Sequence, residues 1–284
     1  MHKKGCRSTT FFYFCLINLK KLNRFNYLYY IFIILIVFSC KKKEDNGKAP
    51  TIPPASSFLM DFSKLSDTIP TDTIDTTSVN YNYAVQKLNL WNSLINNTLG
   101  VPLHALLESY NHSPQYLSDG WWSWKSKMNY NQRNYNVDLR GKTTDDKNYW
   151  EAYIDMENGF DSFKWFEGEC DYYSNVGIWY VKDNLYNNQN ILQIDWTNDY
   201  YGSADIKYTK ISETDSLKGS YIHYFRTLVN GYNSHYKISE TIPNNYTEIR
   251  LNRSSNEGQI KDSLFFPDYN YHCWDSLKLD LNCY

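Results

Sequence analysis

Residues 149–156 read Tyr-Trp-Glu-Ala-Tyr-Ile-Asp-Met. Trp150, Ala152, Ile154 and Met156 fall on one parity, and Glu151, Tyr153 and Asp155 on the other. Successive side chains of a strand point to opposite faces, so a period of two describes a strand with one apolar face and one polar or aromatic face. Ile206 and Tyr208 against Asp205, Lys207 and Thr209 repeat the scheme.

Outward from that stretch, short runs of the same kind are separated by Gly, Asn and Asp clusters. Roughly eleven candidate strands follow from these signals. They centre on residues 122–130, 135–140, 149–156, 163–171, 177–181, 192–197, 204–211, 220–226, 235–239, 246–251 and 258–264. A strand about every ten residues predicts an antiparallel meander, hence a sandwich or an open or closed barrel. The chain's 27 Tyr, 14 Phe and 9 Trp agree, because large aromatics suit a pleated, half-buried surface. Gly168 and Gly177, each beside aromatics, mark a bulge or a close backbone approach.

Residues 81–97 break the pattern. Val85, Leu88, Trp91, Leu94 and Ile95 recur at helical spacing on one face. Ser78 or Asn80 is placed to cap the start, and Gly100 with Pro102 to end one helix and open a second. Leu103, Leu106 and Leu107 give the second helix its apolar side. The expected fold is mainly β, an antiparallel meander preceded by a short helical hairpin. Four regions result: residues 1–39, 40–57, 58–119 (docking segment, Asp-Thr loop and hairpin) and the β domain 120–284. Residues 47–57 are rich in Pro and small residues and read as a flexible tether. Residues 58–62 bring back apolar side chains to dock on the body.

The amino-terminal region carries an address. Lys3, Lys4, Arg7, Lys20, Lys21 and Arg24 precede an eleven-residue apolar run, 28–38, and then Ser39 and Cys40. A basic region, a short apolar region and a small residue at the cut are the parts of a secretory signal, and eleven residues fall short of the roughly 20 that span a bilayer. Removing residues 1–39 takes Lys+Arg from 29 to 23 against 31 acids, a net charge of −8 rather than −2. An acidic body lacks the basic footprint of a nucleic-acid binder.

Val37-Phe38-Ser39-Cys40 resembles the lipobox at which bacterial lipoprotein signal peptidase cuts before a diacylated cysteine, with Val37 and Phe38 departing from the commoner residues. Ser39-Cys40-Lys41-Lys42, where the apolar region ends, resembles Bacteroidota lipoproteins, and Lys41 to Asp45 resembles their signal for display on the outer face of the outer membrane. The resemblance covers about 18 residues and implies a lipid anchor at Cys40; several acyl chains hold a protein stably where one does not. Six triplets of Asp, Ser or Thr and a methyl-bearing residue resemble the O-glycosylation motif of exported Bacteroidota proteins. They centre on Thr68, Thr73, Thr76, Ser216, Ser263 and Ser276. Asp, Ser and Thr also gather in turns for their own hydrogen-bonding reasons.

Of the remaining cysteines, Cys273 and Cys283 flank a length that can fold back, and a disulfide there is the favoured pairing. Cys170 with either of them is the rival. Glu167 and Glu169 share a strand face, a minimal version of the paired carboxylates of glycoside hydrolysis, but exposed acids are the rule. His104, His112, His223, His235 and His272 show no metal-ligand spacing, though His223 and His235 can face one another across adjacent strands. No nucleophile elbow, phosphate loop or dinucleotide fingerprint occurs, and no cofactor or metal is expected. The tryptophans 121, 122, 124, 150, 165, 179 and 196 read chiefly as core.

The expected occupation is a non-catalytic binding or interaction module on the outer-membrane surface, with a glycan, an apolar ligand or an envelope protein as partner. A helix followed by meandering strands is also broadly similar to the unclosed barrels of periplasmic lipoprotein carriers such as the Lol family. That likeness implies a carrier or sensor for an apolar ligand, with a concavity under the helices. A glycan hydrolase is the third expectation.

Overall fold

The computed structural model describes residues 47–63, 77–182, 188–198, 204–227 and 231–283. Cys40, Thr68, Thr73 and Thr76 lie outside them, as does the signal region. Among the described residues, no helix is long and apolar enough to cross a membrane.

One sheet carries the fold. Its strands are β1 (Gln115–Tyr116), β2 (Trp121–Tyr130), β3 (Arg133–Thr143), β4 (Lys147–Met156), β5 (Phe163–Asp171), β6 (Val176–Lys182) and β7 (Asn190–Asn198). β8 (Ala204–Lys210), β9 (Tyr221–Arg226), β10 (Ser234–Glu240), β11 (Asn245–Leu251), β12 (Gly258–Asp262), β13 (His272–Trp274) and β14 (Asp280–Leu281) complete it. Every strand pairs antiparallel with its sequence neighbours, and β1 and β14 remain the two edges. The architecture is therefore a single open meander, not a two-sheet sandwich. β2 to β12 coincide with the eleven expected runs; β1, β13 and β14 are additional and only two or three residues long.

The alternation of residues 149–156 is realised as written. Trp150, Ala152 and Ile154 are buried, in register with Gly141, Leu139 and Val137 on β3. The inner face continues through Phe166, Trp179, Ile194, Tyr208, Ile222, Tyr236, Ile249 and Ile260. Four glycines each stand in register with the tryptophan whose indole lies over them: Gly141 with Trp150, Gly168 with Trp179, Gly177 with Trp196, and Gly258 with Trp274. A Cβ on any of them would collide with the indole, so these glycines are the space in which the large rings lie flat against the next strand.

A single helix, α1 (Val79–Ser109), replaces the expected hairpin. Pro102 gives no N–H to the carbonyl one turn back, and this normally ends or kinks a helix. Here apolar contact on both sides outweighs that loss: Leu99, Ala105 and Leu106 are all buried. Gly100 does not stop the helix; a Cβ there would strike the Tyr130 ring, which lies over it. The cap is also not local. Ser78 makes no capping side-chain bond. The Asp280 carboxylate, from β14, instead accepts the N–H groups of Val79 and Asn80 at 3.0 Å each. α1 packs against β2–β4 near one edge of the sheet and β12–β14 near the other, so the sheet curls and the helix stands between its ends.

Residues 47–57 are not a free tether. Pro50, Pro53 and Ser57 are buried, and Ala55–Ser57 form a 3-10 turn. Phe58, Met60 and Phe62 then join the main core. Inner-face side chains hold this segment by its polar groups. Trp179 Nε1 donates to Ser57 Oγ (3.1 Å). The Tyr208 hydroxyl accepts the Met60 N–H (3.0 Å) and donates to the Phe58 carbonyl (2.7 Å). Tyr236 donates to the Asp61 carbonyl, Tyr110 to that of Pro53, and Arg253 pairs with the Asp61 carboxylate at 2.7 Å. Backbone inside a core must have its polar groups met, and these side chains meet the Met60 N–H and the carbonyls of Pro53, Phe58 and Asp61. Burial pushes the Tyr110 hydroxyl up to about 12.

Candidate functional site

The inner face of the curled sheet is thus occupied by the chain itself. The outer face is where unspent chemistry lies. Over β4, β5 and β6 it carries a groove of about 580 Å³. Strand register builds it. Tyr149 stands beside Glu169 and then Ile178 in one row; Glu151 stands beside Glu167 and then Tyr180 in the next. Trp121 closes one rim, one strand beyond Lys142, whose ammonium lies 5.9 Å from the indole centroid. Tyr149 is 38% exposed, and Trp121 and Tyr180 are half-buried.

Each carboxylate in the groove is fixed by a lysine. Lys164 Nζ lies 3.1 Å from Glu151 and 2.5 Å from Glu167, and Lys182 approaches Glu167 at 3.8 Å. Lys147 pairs with Glu169 at 2.7 Å. Tyr153 donates to the second oxygen of Glu151 (3.1 Å). Burial pulls the Lys164 ammonium down, but its bonds to Glu167 and Glu151 outweigh this and hold it above its ordinary value. The bond to Glu169 does the same for Lys147. Glu167 and Glu169 therefore lie on an open face, each neutralised by its own lysine. They do not face one another across a cleft as two catalytic carboxylates must. Glu151, the acid in register with Glu167, was not singled out by sequence because strand pairing is not written in either strand alone.

Other candidate residues fall as follows. Cys273 and Cys283 form a disulfide with Cα atoms 5.3 Å apart, tying β13 to the chain end beyond β14. Cys170 is a free thiol, buried on the inner face with its Sγ 3.6 Å from the Ser174 hydroxyl; burial pushes the thiol above its ordinary value. His223 and His235 do not pair across strands. Their partners are Lys237 and Phe225, and the Phe225 ring lies between the two imidazoles at 5.1 and 5.0 Å. His223 instead meets Asp205 at 2.6 Å. Among the described residues, no three His, Cys, Asp or Glu side chains converge as a metal site.

Asp215, Asp262 and Asp275 each accept the N–H two residues on, so the three later Asp-Ser-Leu triplets share one local turn. Ser216 and Ser276 are exposed on those turns, whereas the Ser263 hydroxyl is spent on Asn245 (2.9 Å).

Among the described residues, Asp262 is the most enclosed charge. It accepts Thr247 (2.5 Å), Asn245 (3.0 Å) and the N–H groups of Leu264 and Phe265, with Lys87 of α1 at 3.9 Å. Lys87 itself pairs with Glu240 at 2.7 Å. Burial pushes the Asp262 carboxyl up, but these bonds and Lys87 outweigh it and leave it below its ordinary value. This network fastens the helix to β10–β12 and offers no free group to a substrate.

Comparison with protein-family models, with curated proteins and with solved structures finds no match to the chain.

Proposed function

We propose that the chain is a lipid-anchored lipoprotein of the cell envelope, held at Cys40 and displayed on the outer membrane, whose β domain is a non-catalytic binding module. The observation that carries the binding role is the division of labour between the two sheet faces. The inner face is filled by residues 47–63 and α1, while the outer face presents an aromatic-lined groove. A carrier of apolar ligands needs an empty apolar concavity, and Phe58, Met60 and Phe62 stand on that side of the sheet. A glycan hydrolase needs a proton donor and a base across a cleft, and the groove's carboxylates are each held by lysine. The anchor rests on the basic region, the apolar run and the lipobox ending at Cys40.

Two experiments test this reading. Labelled palmitate is incorporated by the wild type and lost in Cys40→Ala; equal labelling of both removes the anchor. Immobilised wild-type protein retains material from a solubilised cell envelope, and the double variant Tyr149→Ala/Tyr180→Ala does not; equal retention by both removes the groove as the binding surface. O-glycosylation is proposed at Thr68, Thr73, Thr76, Ser216 and Ser276. Ser263 is set apart, because its hydroxyl already serves Asn245. Ser216→Ala and Ser276→Ala are each expected to lower the intact mass by one glycan, and Ser263→Ala to remove only the hydroxyl oxygen.

A further inference from the structure

The groove's chemistry narrows the ligand class, on the assumption that the convex face is the binding surface. Two features are independent of one another. First, the aromatic side chains of Trp121, Tyr149 and Tyr180 line an open surface, and aromatic rings suit a ligand with a flat or puckered apolar face. Second, Glu151, Glu167 and Glu169 are held in place but not used up. An ionised carboxylate offers about four lone-pair sites, and each here spends only one or two on its partners. Immobilised acceptors beside aromatic faces suit a ligand rich in hydroxyl donors.

Charge excludes the obvious competitors. A cationic ligand needs unpaired negative charge, and Lys147, Lys164 and Lys182 already offset the three acids. An anionic ligand needs unpaired cations, and these same lysines are engaged; Arg140 nearby is spent on Asp138 at 2.7 Å, and Lys142, at the rim, lies over the Trp121 ring, so the acidic comparator below tests that single charge. The groove is open along its length and does not enclose a small molecule, so its ligand is extended. Tyr149 and Tyr180 sit two strands apart and one residue row apart, roughly 10–12 Å by ordinary strand spacing and rise. One sugar ring cannot stack on both.

We propose that this groove binds an uncharged oligosaccharide, with Tyr149 and Tyr180 as stacking platforms and Glu151, Glu167 and Glu169 as hydroxyl acceptors. Full-length protein in a detergent without a sugar headgroup is titrated calorimetrically with neutral oligomers of β-1,4-glucan, α-1,4-glucan, mannan and xylan. An oligogalacturonate and an oligomer of chitosan serve as acidic and cationic comparators. At least one neutral oligomer is expected to bind and both charged ones to fail. Tyr149→Ala and Tyr180→Ala are each expected to weaken binding by up to about tenfold, the usual worth of one aromatic contact. Tyr149→Phe keeps the ring face and is expected to keep binding, which separates stacking from a folding defect. The proposal is overturned if no neutral oligomer binds, if a charged comparator binds more tightly, or if both alanine variants bind like wild type. Should no sugar bind while envelope material is still retained in a Tyr149- and Tyr180-dependent way, the ligand class is wrong and the binding role stands. Loss of both overturns both.

Discussion

Tyr208 shows how single residues set this fold. Its ring is fully buried on β8, and its hydroxyl satisfies one N–H and one carbonyl of the segment crossing the inner face. Tyr208→Phe keeps the ring and strands both backbone groups, so unfolding in urea is expected to show a loss of about 1–3 kcal/mol. An unchanged midpoint would mean that the segment is not held there. Asp262 makes a pH-dependent contribution. Its folded carboxyl lies below its ordinary value, so the stability it adds is fully present above the unfolded value and is lost as pH falls through the folded one. The wild type is therefore expected to lose stability steeply below about pH 4, and Asp262→Asn to start less stable at neutral pH and fall with a shallower slope. Parallel pH curves for the two proteins would contradict this.

Among the elements, those that obey a local rule were legible and those that depend on distant partners were not. Residues 149–156 alternate without interruption, and β4 follows the alternation. The very short β1, β13 and β14 carry too few residues to show a period. α1 is a different case. Gly100 and Pro102 are ordinary stop signals, and they yield because Leu99, Ala105 and Leu106 are buried on either side and the Tyr130 ring occupies the space above Gly100. The Asp280 cap comes from about 200 residues away, and no local reading of Ser78 or Asn80 finds it. Asp280→Ala is expected to cost about 1–2 kcal/mol and to fray the first turn of α1, read as faster amide exchange at residues 79–82. Unchanged exchange there would assign the cap elsewhere. The region read as a tether misled for a related reason: proline-rich composition describes the backbone's preferences but not the Trp179, Tyr208 and Tyr236 side chains that hold that segment in the core.

At the scale of the molecule, the sheet is open, curled, and closed across its ends by one helix. Such a shape invites a ligand into its hollow, and here residues 47–63 of the chain take that place. The aromatic richness that pointed to a β protein divides accordingly. Trp150, Trp179, Tyr208, Tyr224 and Tyr236 make the core, while Trp121, Tyr149 and Tyr180 line a surface groove. Sequence could not make that division, since it depends on which parity of each strand faces inward and which strands become neighbours. The most direct test of the arrangement is hydrogen–deuterium exchange over residues 47–63 in the native protein. Amides of Ser57, Phe58 and Met60 donate to Pro54, Ala55 and Tyr208, and are predicted to exchange as slowly as those of β4 to β8. Exchange at the rate of a free peptide would contradict the account, returning residues 47–63 to a tether and leaving the hollow of the sheet open for a ligand.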